Sequence, residues 1–97
     1  MADSPETEHR RLAILKHLQK SSEYTSNASI LIDVVRSVAV ATSEAQMRAA
    51  LAWLDEQELI EMTDHGHVVI ATATVRGAEV ALGHATFPGV KRPTARR

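Results

Sequence analysis

The chain has 97 residues, a formal net charge of −1 and no cysteine. This length fits one small domain, and the lack of cysteine excludes a disulfide framework and a thiolate metal site. No stretch approaches the roughly 20 apolar residues of a membrane span, and the N-terminus lacks the apolar segment of a signal peptide. We therefore expect a cytoplasmic protein that does not associate with membranes.

Basic residues are concentrated at the C-terminus. Four of the 11 basic residues lie within the last seven positions: Lys91, Arg92, Arg96 and Arg97. Between residues 42 and 70, by contrast, Arg48 is the only lysine or arginine, and six residues are acidic. A surface that binds phosphates by releasing counterions is expected to have the opposite balance.

The first predicted elements are a helix and a short strand. Residues 1–4 are expected to be disordered, and Ser4 is a suitable N-cap for a helix with Pro5 in its first position. Leucines at positions 12, 15 and 18 give this helix an apolar stripe, and it is expected to end near residue 21. Tyr24 and Thr25 are compatible with a very short strand.

A second helix is predicted from Ile30 to about Val38. Asn27 or Ser29 can cap it, and its apolar residues recur three or four positions apart. The same run is rich in β-branched residues, which leaves a strand as the alternative. The caps and the spacing together favour the helix.

The central element is a third helix, predicted to run from a cap at Thr42 or Ser43 to Glu58. Ser43 and Gln46 have the spacing of a capping box, in which each side chain bonds to the backbone amide of the other residue. The apolar stripe expected to face the core consists of Met47, Ala50, Leu51 and Leu54. The opposite stripe carries small side chains.

After the third helix the apolar spacing changes to the alternation of a strand. Two strands are predicted around the polar sequence 64–67, in which Gly66 can adopt the positive φ of a tight turn. Thr74 then caps a last short helix over residues 75–82. We therefore predict one domain over residues 5–83, followed by an extended basic tail over residues 84–97.

This order of elements predicts a mainly α fold with a small β-hairpin, of the α+β class. It corresponds to a winged helix-turn-helix, with a three-helix core, a wing and a short C-terminal helix. The sequences MRAALAWLDEQELI and TVRGAEVAL resemble the recognition helix and final helix of ArsR/MarR-like regulators, in which a glycine occupies the position of Glu58. The sequence PGVKRP is similar to small winged-helix proteins of Mu-like phages and prophages.

The resemblance implies binding to double-stranded DNA, with the third helix in the major groove. The candidate base-reading residues are Thr42, Ser43, Gln46 and Arg48. Alternatively, Gln46 is only a capping partner and Arg48 a solvated charge. The basic tail supplies the candidate phosphate-binding residues Lys91, Arg92, Arg96 and Arg97, although such a terminus can also serve only solubility.

The outer stripe of the third helix is a candidate protein interface. The candidate interface residues are Ala45, Ala49 and Ala52 of this stripe and Trp53 on its flank. Small side chains allow another helix to approach closely, and a tryptophan beside them can act as an anchor. Alternatively, Trp53 packs against the first or last helix of its own domain.

No catalytic motif is present, so we expect no enzymatic activity, no cofactor and no metal. The leading hypothesis is a small DNA-binding transcriptional regulator of phage or prophage origin that acts as a homodimer. The alternative is a winged-helix interaction module that binds its own copy or a phage protein and does not bind DNA.

Overall fold

The computed structural model describes residues 3–93, which form helices and an antiparallel sheet. The α-helices are α1 (Pro5–Lys20), α2 (Ala28–Ser37), α3 (Glu44–Glu56) and α4 (Val75–Leu82). The strands are β1 (Thr25–Asn27), β2 (Ile60–Asp64) and β3 (Val69–Ala73). The predicted α+β class is therefore confirmed.

The three strands form one sheet with the order β1-β3-β2. β2 and β3 are the predicted hairpin, and β1 pairs antiparallel with β3 on its other side. The hydroxyl groups of Thr25 and Thr72 lie 2.8 Å apart across that pair. This topology, with helices α1 to α3 preceding the hairpin, is compatible with a small winged-helix-like fold.

Side chains from all the helices and from the sheet form the hydrophobic core. The predicted inner stripe of α3 is buried, as are Leu15 of α1 and Leu31 of α2. The predicted second helix is present and begins at Ala28, with the Asn27 side chain accepting a hydrogen bond from the Ile30 amide. The local apolar spacing therefore predicted the buried faces of α1 and α3 correctly, whereas Ile30 and Val38 of the predicted second helix are exposed.

The junction between α3 and the hairpin keeps a left-handed backbone without a glycine. α3 ends at Glu56, two residues before the predicted end, and Glu58 has a φ of 62°. The Leu59 amide donates to the Leu54 carbonyl at 3.0 Å, and the Thr74 hydroxyl donates to the Glu58 carbonyl at 2.9 Å. Glu58 thus holds the backbone conformation that the glycine of ArsR/MarR-like regulators adopts easily.

Gly77 explains the Thr-x-x-Gly sequence at the start of α4. Thr74 caps this helix by accepting a hydrogen bond from the Gly77 amide at 3.1 Å. A Cβ atom on Gly77 would lie 2.0 Å from the Leu59 carbonyl oxygen. The absence of a side chain therefore lets α4 approach the start of the hairpin.

The chain after α4 differs from the predicted extended tail. Residues 87–91, here called the C-terminal strap, fold back onto the domain, and Val90 is buried. The Lys91 amide donates to the Glu8 carbonyl of α1 at 3.2 Å. The proline and glycine content suggested an extended tail, but Phe87 and Val90 provide apolar surface that packs against the core.

The N-terminal residues that the structure describes also make defined contacts, although residues 1–4 were predicted to be disordered. Ser4 caps α1, and the Asp3 carboxylate lies 2.6 Å from the Arg11 guanidinium. Within residues 3–93, no helix combines the length and the apolar character needed to cross a bilayer.

Candidate nucleic-acid and partner interface

The outer face of α3 is exposed beside the hairpin. Ala45, Ala49 and Ala52 lie on this face and are all exposed, together with Ser43 and Arg48. Both predicted interfaces, with DNA and with protein, use this surface. Its individual residues nevertheless differ in how accessible their polar atoms are.

Thr42 was predicted to contact DNA, but the structure buries it. Only 6% of Thr42 is exposed. Its hydroxyl oxygen accepts a hydrogen bond from Arg10 Nε at 3.0 Å, and the hydroxyl donates to the Val40 carbonyl at 2.9 Å. Thr42 therefore belongs to the turn that joins α2 to α3, where it cannot reach a DNA base.

Ser43 and Gln46 are exposed and form the predicted capping box. The Gln46 amide donates to the Ser43 hydroxyl at 3.1 Å, and the Ser43 amide donates to Gln46 Oε1 at 2.9 Å. These bonds satisfy amides at the first turn of α3 that would otherwise lack partners. The Gln46 side chain can still donate from Nε2 to a base, whereas a bidentate contact with adenine would also engage Oε1, which already accepts from the Ser43 amide.

Arg48 connects α3 to the hairpin. Its guanidinium lies 3.5 Å from the Asp64 carboxylate, and the two side chains are 53% and 48% exposed. At the hairpin tip, Asp64 Oδ1 accepts a hydrogen bond from the Gly66 amide at 2.7 Å. The tip also exposes His65 and His67 but has no lysine or arginine.

A groove separates α2 and the start of α3 from the hairpin. Its volume is about 510 Å³, and both acidic and basic residues line it. The charged residues in the groove are Asp33, Arg36, Glu44 and Arg48. The groove is therefore polar and of mixed charge rather than a basic channel.

Two arginines fix the turn between α2 and α3. Arg10 of α1 donates from Nη2 to the Ala41 carbonyl at 2.9 Å, in addition to its bond to Thr42. Arg36 of α2 donates from Nε to the Thr42 carbonyl at 3.0 Å. Together they hold the residues that precede the Ser43 cap, and so they orient α3 relative to α1 and α2.

This role of Arg10 was not predicted from the sequence, although one signal was present. Arg10 precedes Ile14 by four positions, and residues at that spacing share one face of a helix. Ile14 is fully buried, and Arg10 is only 5% exposed. A basic residue in register with the core stripe could therefore have indicated a buried arginine with backbone acceptors.

Trp53 packs inside the domain, as the alternative interpretation predicted, although its partners are α1 and the C-terminal strap. The Arg11 guanidinium carbon lies 3.7 Å from the centre of the Trp53 ring. Phe87 meets the ring edge to face, with centroids 5.9 Å apart. Arg11 also donates to the Gly89 carbonyl at 2.9 Å, which closes the strap over Trp53. Trp53 is thus not a free anchor beside the exposed alanines.

The predicted tail residues fall into two groups. Lys91 and Arg92 are exposed, and the Lys91 backbone is bound to α1. Arg96 and Arg97 lie outside the described residues. The strap therefore fixes the backbone of Lys91 beside Glu8 of α1 instead of leaving it on a free arm.

A search of curated proteins identified one relative along nearly the whole chain. The uncharacterized protein gp26 of Escherichia phage Mu is 38% identical over 90 residues, which cover 93% of each chain. The chain belongs to the family of phage Mu gp26. No family model and no solved structure match the chain.

Membership in the gp26 family supports the predicted phage origin. Because the match covers 93% of each protein, it extends over most of the domain described above rather than one motif. The resemblance to ArsR/MarR-like regulators and the binding of DNA remain predictions. The geometry of α3 and the hairpin is therefore the basis for a functional proposal for this gp26 family member.

Proposed function

We propose that this protein is a small DNA-binding winged-helix protein of phage origin that regulates transcription. The observation that carries the proposal is the exposed outer face of α3, which lies beside the β2–β3 hairpin after a rigid turn from α2. In a helix-turn-helix, the second helix enters the major groove and its N-terminal residues contact bases. Arg10 and Arg36, whose bonds to Ala41 and Thr42 form a clamp on the turn before α3, support a fixed orientation of such a helix.

The proposed DNA contacts come from the N-terminal half of α3. Arg48 can donate two hydrogen bonds to guanine, and Glu44 can accept one from the amino group of cytosine. Ser43 and Gln46 can add contacts by donating from the Ser43 hydroxyl and from Gln46 Nε2, which the capping box does not use. Thr42 is not among the proposed contacts, because its side chain is buried.

Two of the three acidic residues of α3, Asp55 and Glu56, lie at the opposite end of the helix. Asp55 follows Arg48 by seven positions, which corresponds to about 10 Å along the axis. The Debye length at physiological salt is about 8 Å, so repulsion between DNA and these carboxylates is largely screened at the N-terminal end. Asp55 and Glu56 therefore do not prevent contacts through Arg48, whereas Asp64, 3.5 Å from Arg48, competes with DNA for the guanidinium.

A variant of Arg48 tests this proposal. Duplexes would first be selected from a random pool with the full chain and then titrated by fluorescence anisotropy. We expect Arg48→Ala to weaken binding by about 1–3 kcal/mol, because it removes a direct base contact. Arg76→Ala on α4 is the control with the same change in charge. Equal affinities of the wild type and Arg48→Ala would remove α3 from the mechanism.

Basic residues of the C-terminal region are proposed to contact the DNA backbone. Removal of residues 94–97 deletes two arginines and leaves the described strap intact. We expect the slope of log K against log salt to fall by about 2, or about 1 for each lost phosphate contact. An unchanged slope would exclude these arginines from the complex.

The alternative function is a protein interaction module that does not bind DNA. It is favoured by the exposed Ala45, Ala49 and Ala52, and by the hairpin tip, which lacks the lysine or arginine that a DNA-binding wing uses. Absence of any duplex affinity at low salt, where phosphate contacts are strongest, would favour this function.

A further inference from the structure

A groove between α1 and α2 combines an apolar floor with a basic rim. Its volume is about 190 Å³. Val34 and Val38 of α2 contribute to its floor, and Lys16 and Lys20 of α1 stand at its rim with two histidines, His9 and His17. No acidic residue lines it. In this chain, where acidic residues outnumber basic ones, such a local charge balance is unusual.

The apolar surface continues beyond the groove along α2. Ile30 and Val38 are 48% and 44% exposed, and Val34 lies between them at a spacing of four residues. Residues at this spacing lie on one side of a helix, so the stripe is about 12 Å long. Val34 is half-buried between these two exposed side chains, and an apolar row of this kind beside a charged rim is a feature of protein-binding surfaces.

We infer that this groove and the adjoining α2 stripe, together defined by Lys16, Lys20, Ile30, Val34 and Val38, bind the outer face of α3 from a second copy of the chain. The first argument is charge. The exposed surface of α3 carries Glu56 on its outer face, with Glu44 and Asp55 at the edge beside the hairpin, where Asp55 accepts a hydrogen bond from the Met62 amide. Its one cation, Arg48, is paired with Asp64. An acidic helix face against a basic rim is electrostatically complementary.

Charge also selects the geometry of the contact. If two copies met groove to groove, Lys16 and Lys20 of one copy would face lysines of the other. Like charges opposed at an interface cost free energy, whereas the head-to-tail arrangement pairs each lysine with carboxylates. With a net charge of −1 and a pI near 6.5, whole-molecule repulsion is small near neutral pH.

The second argument is shape. The α2 stripe carries large side chains at Ile30 and Val38, whereas the α3 face carries Ala45, Ala49 and Ala52. Large side chains opposite small ones permit helix axes to approach within about 8–10 Å. The α3 face spans 13 residues, or about 20 Å, so it is longer than the stripe that it covers.

This contact uses two different surfaces, so it differs from a two-fold dimer. A head-to-tail contact leaves one free groove and one free α3 face, and it continues into rings or open chains. The predicted homodimer is thus the first step of a longer assembly. The inference does not depend on DNA binding, although a face of α3 held in a groove is closed to DNA.

Sedimentation velocity on the full chain tests the inference. Between roughly 10 µM and 1 mM, a range suited to a small interface, we expect the average mass of the wild type to rise past that of a dimer. Lys16→Glu/Lys20→Glu should weaken association at least tenfold. Arg76→Glu/Arg92→Glu makes the same change in net charge at residues that do not line the groove, and it should leave association close to that of the wild type.

A mixing experiment identifies the two surfaces. Ala49→Lys places a bulky cation on the α3 face and should also prevent self-association, while its groove remains intact. Lys16→Glu/Lys20→Glu has the reverse defect, because its groove is altered and its α3 face remains intact. An equimolar mixture of the two should form a 1:1 heterodimer and nothing larger, because only one pair of intact surfaces remains. Circular dichroism confirms that each variant is folded.

Three results would overturn the inference. A wild type that stays monomeric throughout the range excludes the contact. If Lys16→Glu/Lys20→Glu associates as strongly as the wild type, the groove is not part of the contact. If its mixture with Ala49→Lys stays monomeric, the groove does not bind the α3 face. Ala49→Lys also distinguishes a failure of this inference from a failure of the proposed function. It should abolish self-association, whereas its added cation on α3 should preserve or raise the affinity for duplex DNA.

Discussion

Arg10 Nε donates to the Thr42 hydroxyl at 3.0 Å across a separation of 32 residues. This bond is buried, and it links the first helix to the turn that precedes α3. The charge of Arg10 is satisfied in the interior by the Thr42 hydroxyl and the Ala41 carbonyl. The position of the candidate recognition helix therefore depends on a polar contact as well as on the apolar core.

Removal of the Thr42 hydroxyl tests this dependence. Thr42→Val keeps the shape of the side chain but leaves Arg10 Nε buried without that acceptor. We expect the free energy of unfolding to fall by about 1–3 kcal/mol, the usual cost of a lost partner to a charged group. Urea denaturation measures this change. Thr63→Val, at an exposed position of β2, is the control and should change stability little; an equal effect in both variants would argue against the clamp.

Local patterns predicted the secondary structure, whereas distant contacts decided the sites. The Ser43–Gln46 capping box and the buried stripe of α3 could be predicted because their partners lie within a few residues. Thr42 was assigned to DNA because nothing near it in sequence reveals Arg10. The strap could not be predicted for the same reason, since Arg11 and Gly89 are 78 residues apart. Buried polar partners at such separations leave no periodic signal.

Substitution of Glu58 by glycine should stabilise the protein. The φ of 62° at Glu58 costs a non-glycine residue about 1–2 kcal/mol, whereas glycine adds about 0.5–1 kcal/mol of backbone entropy cost on folding. We therefore expect a net gain of about 0.5–1 kcal/mol for Glu58→Gly in urea denaturation. Glu56→Gly, within the last turn of α3, is the matched control and should lose stability. A loss in both variants would show that the left-handed residue carries no strain.

A methyl group on Gly89 should displace the C-terminal strap. A Cβ atom there would lie 2.7 Å from Trp53 Cζ2, and the φ of 98° already disfavours a side chain. Gly89→Ala should therefore shift Trp53 fluorescence to longer wavelength and speed exchange of the Lys91 amide, which is bound to Glu8.

Gly66→Ala separates the clash at Gly89 from backbone strain. Gly66 has a similar φ of 86°, but a Cβ atom there would have no neighbour within 4 Å. Gly66→Ala should lower the free energy of unfolding by about 1 kcal/mol, because of backbone strain alone, and should leave Trp53 emission unchanged. Unchanged emission in Gly89→Ala would mean that the strap does not depend on close contact with Trp53.

The Arg48–Asp64 ion pair sets a further test of DNA binding. Asp64→Asn removes the carboxylate beside Arg48 but keeps the Oδ1 acceptor for the Gly66 amide, so the hairpin tip is preserved. An exposed ion pair contributes up to about 1 kcal/mol, so release of Arg48 should raise duplex affinity by about two- to fivefold with little change in stability. Glu61→Gln, on the same strand, changes the net charge equally without touching Arg48. A gain in duplex affinity that is specific to Asp64→Asn would identify Arg48 as the contact. Equal gains in both variants would reflect net charge alone. No gain in Asp64→Asn would contradict duplex binding at this surface.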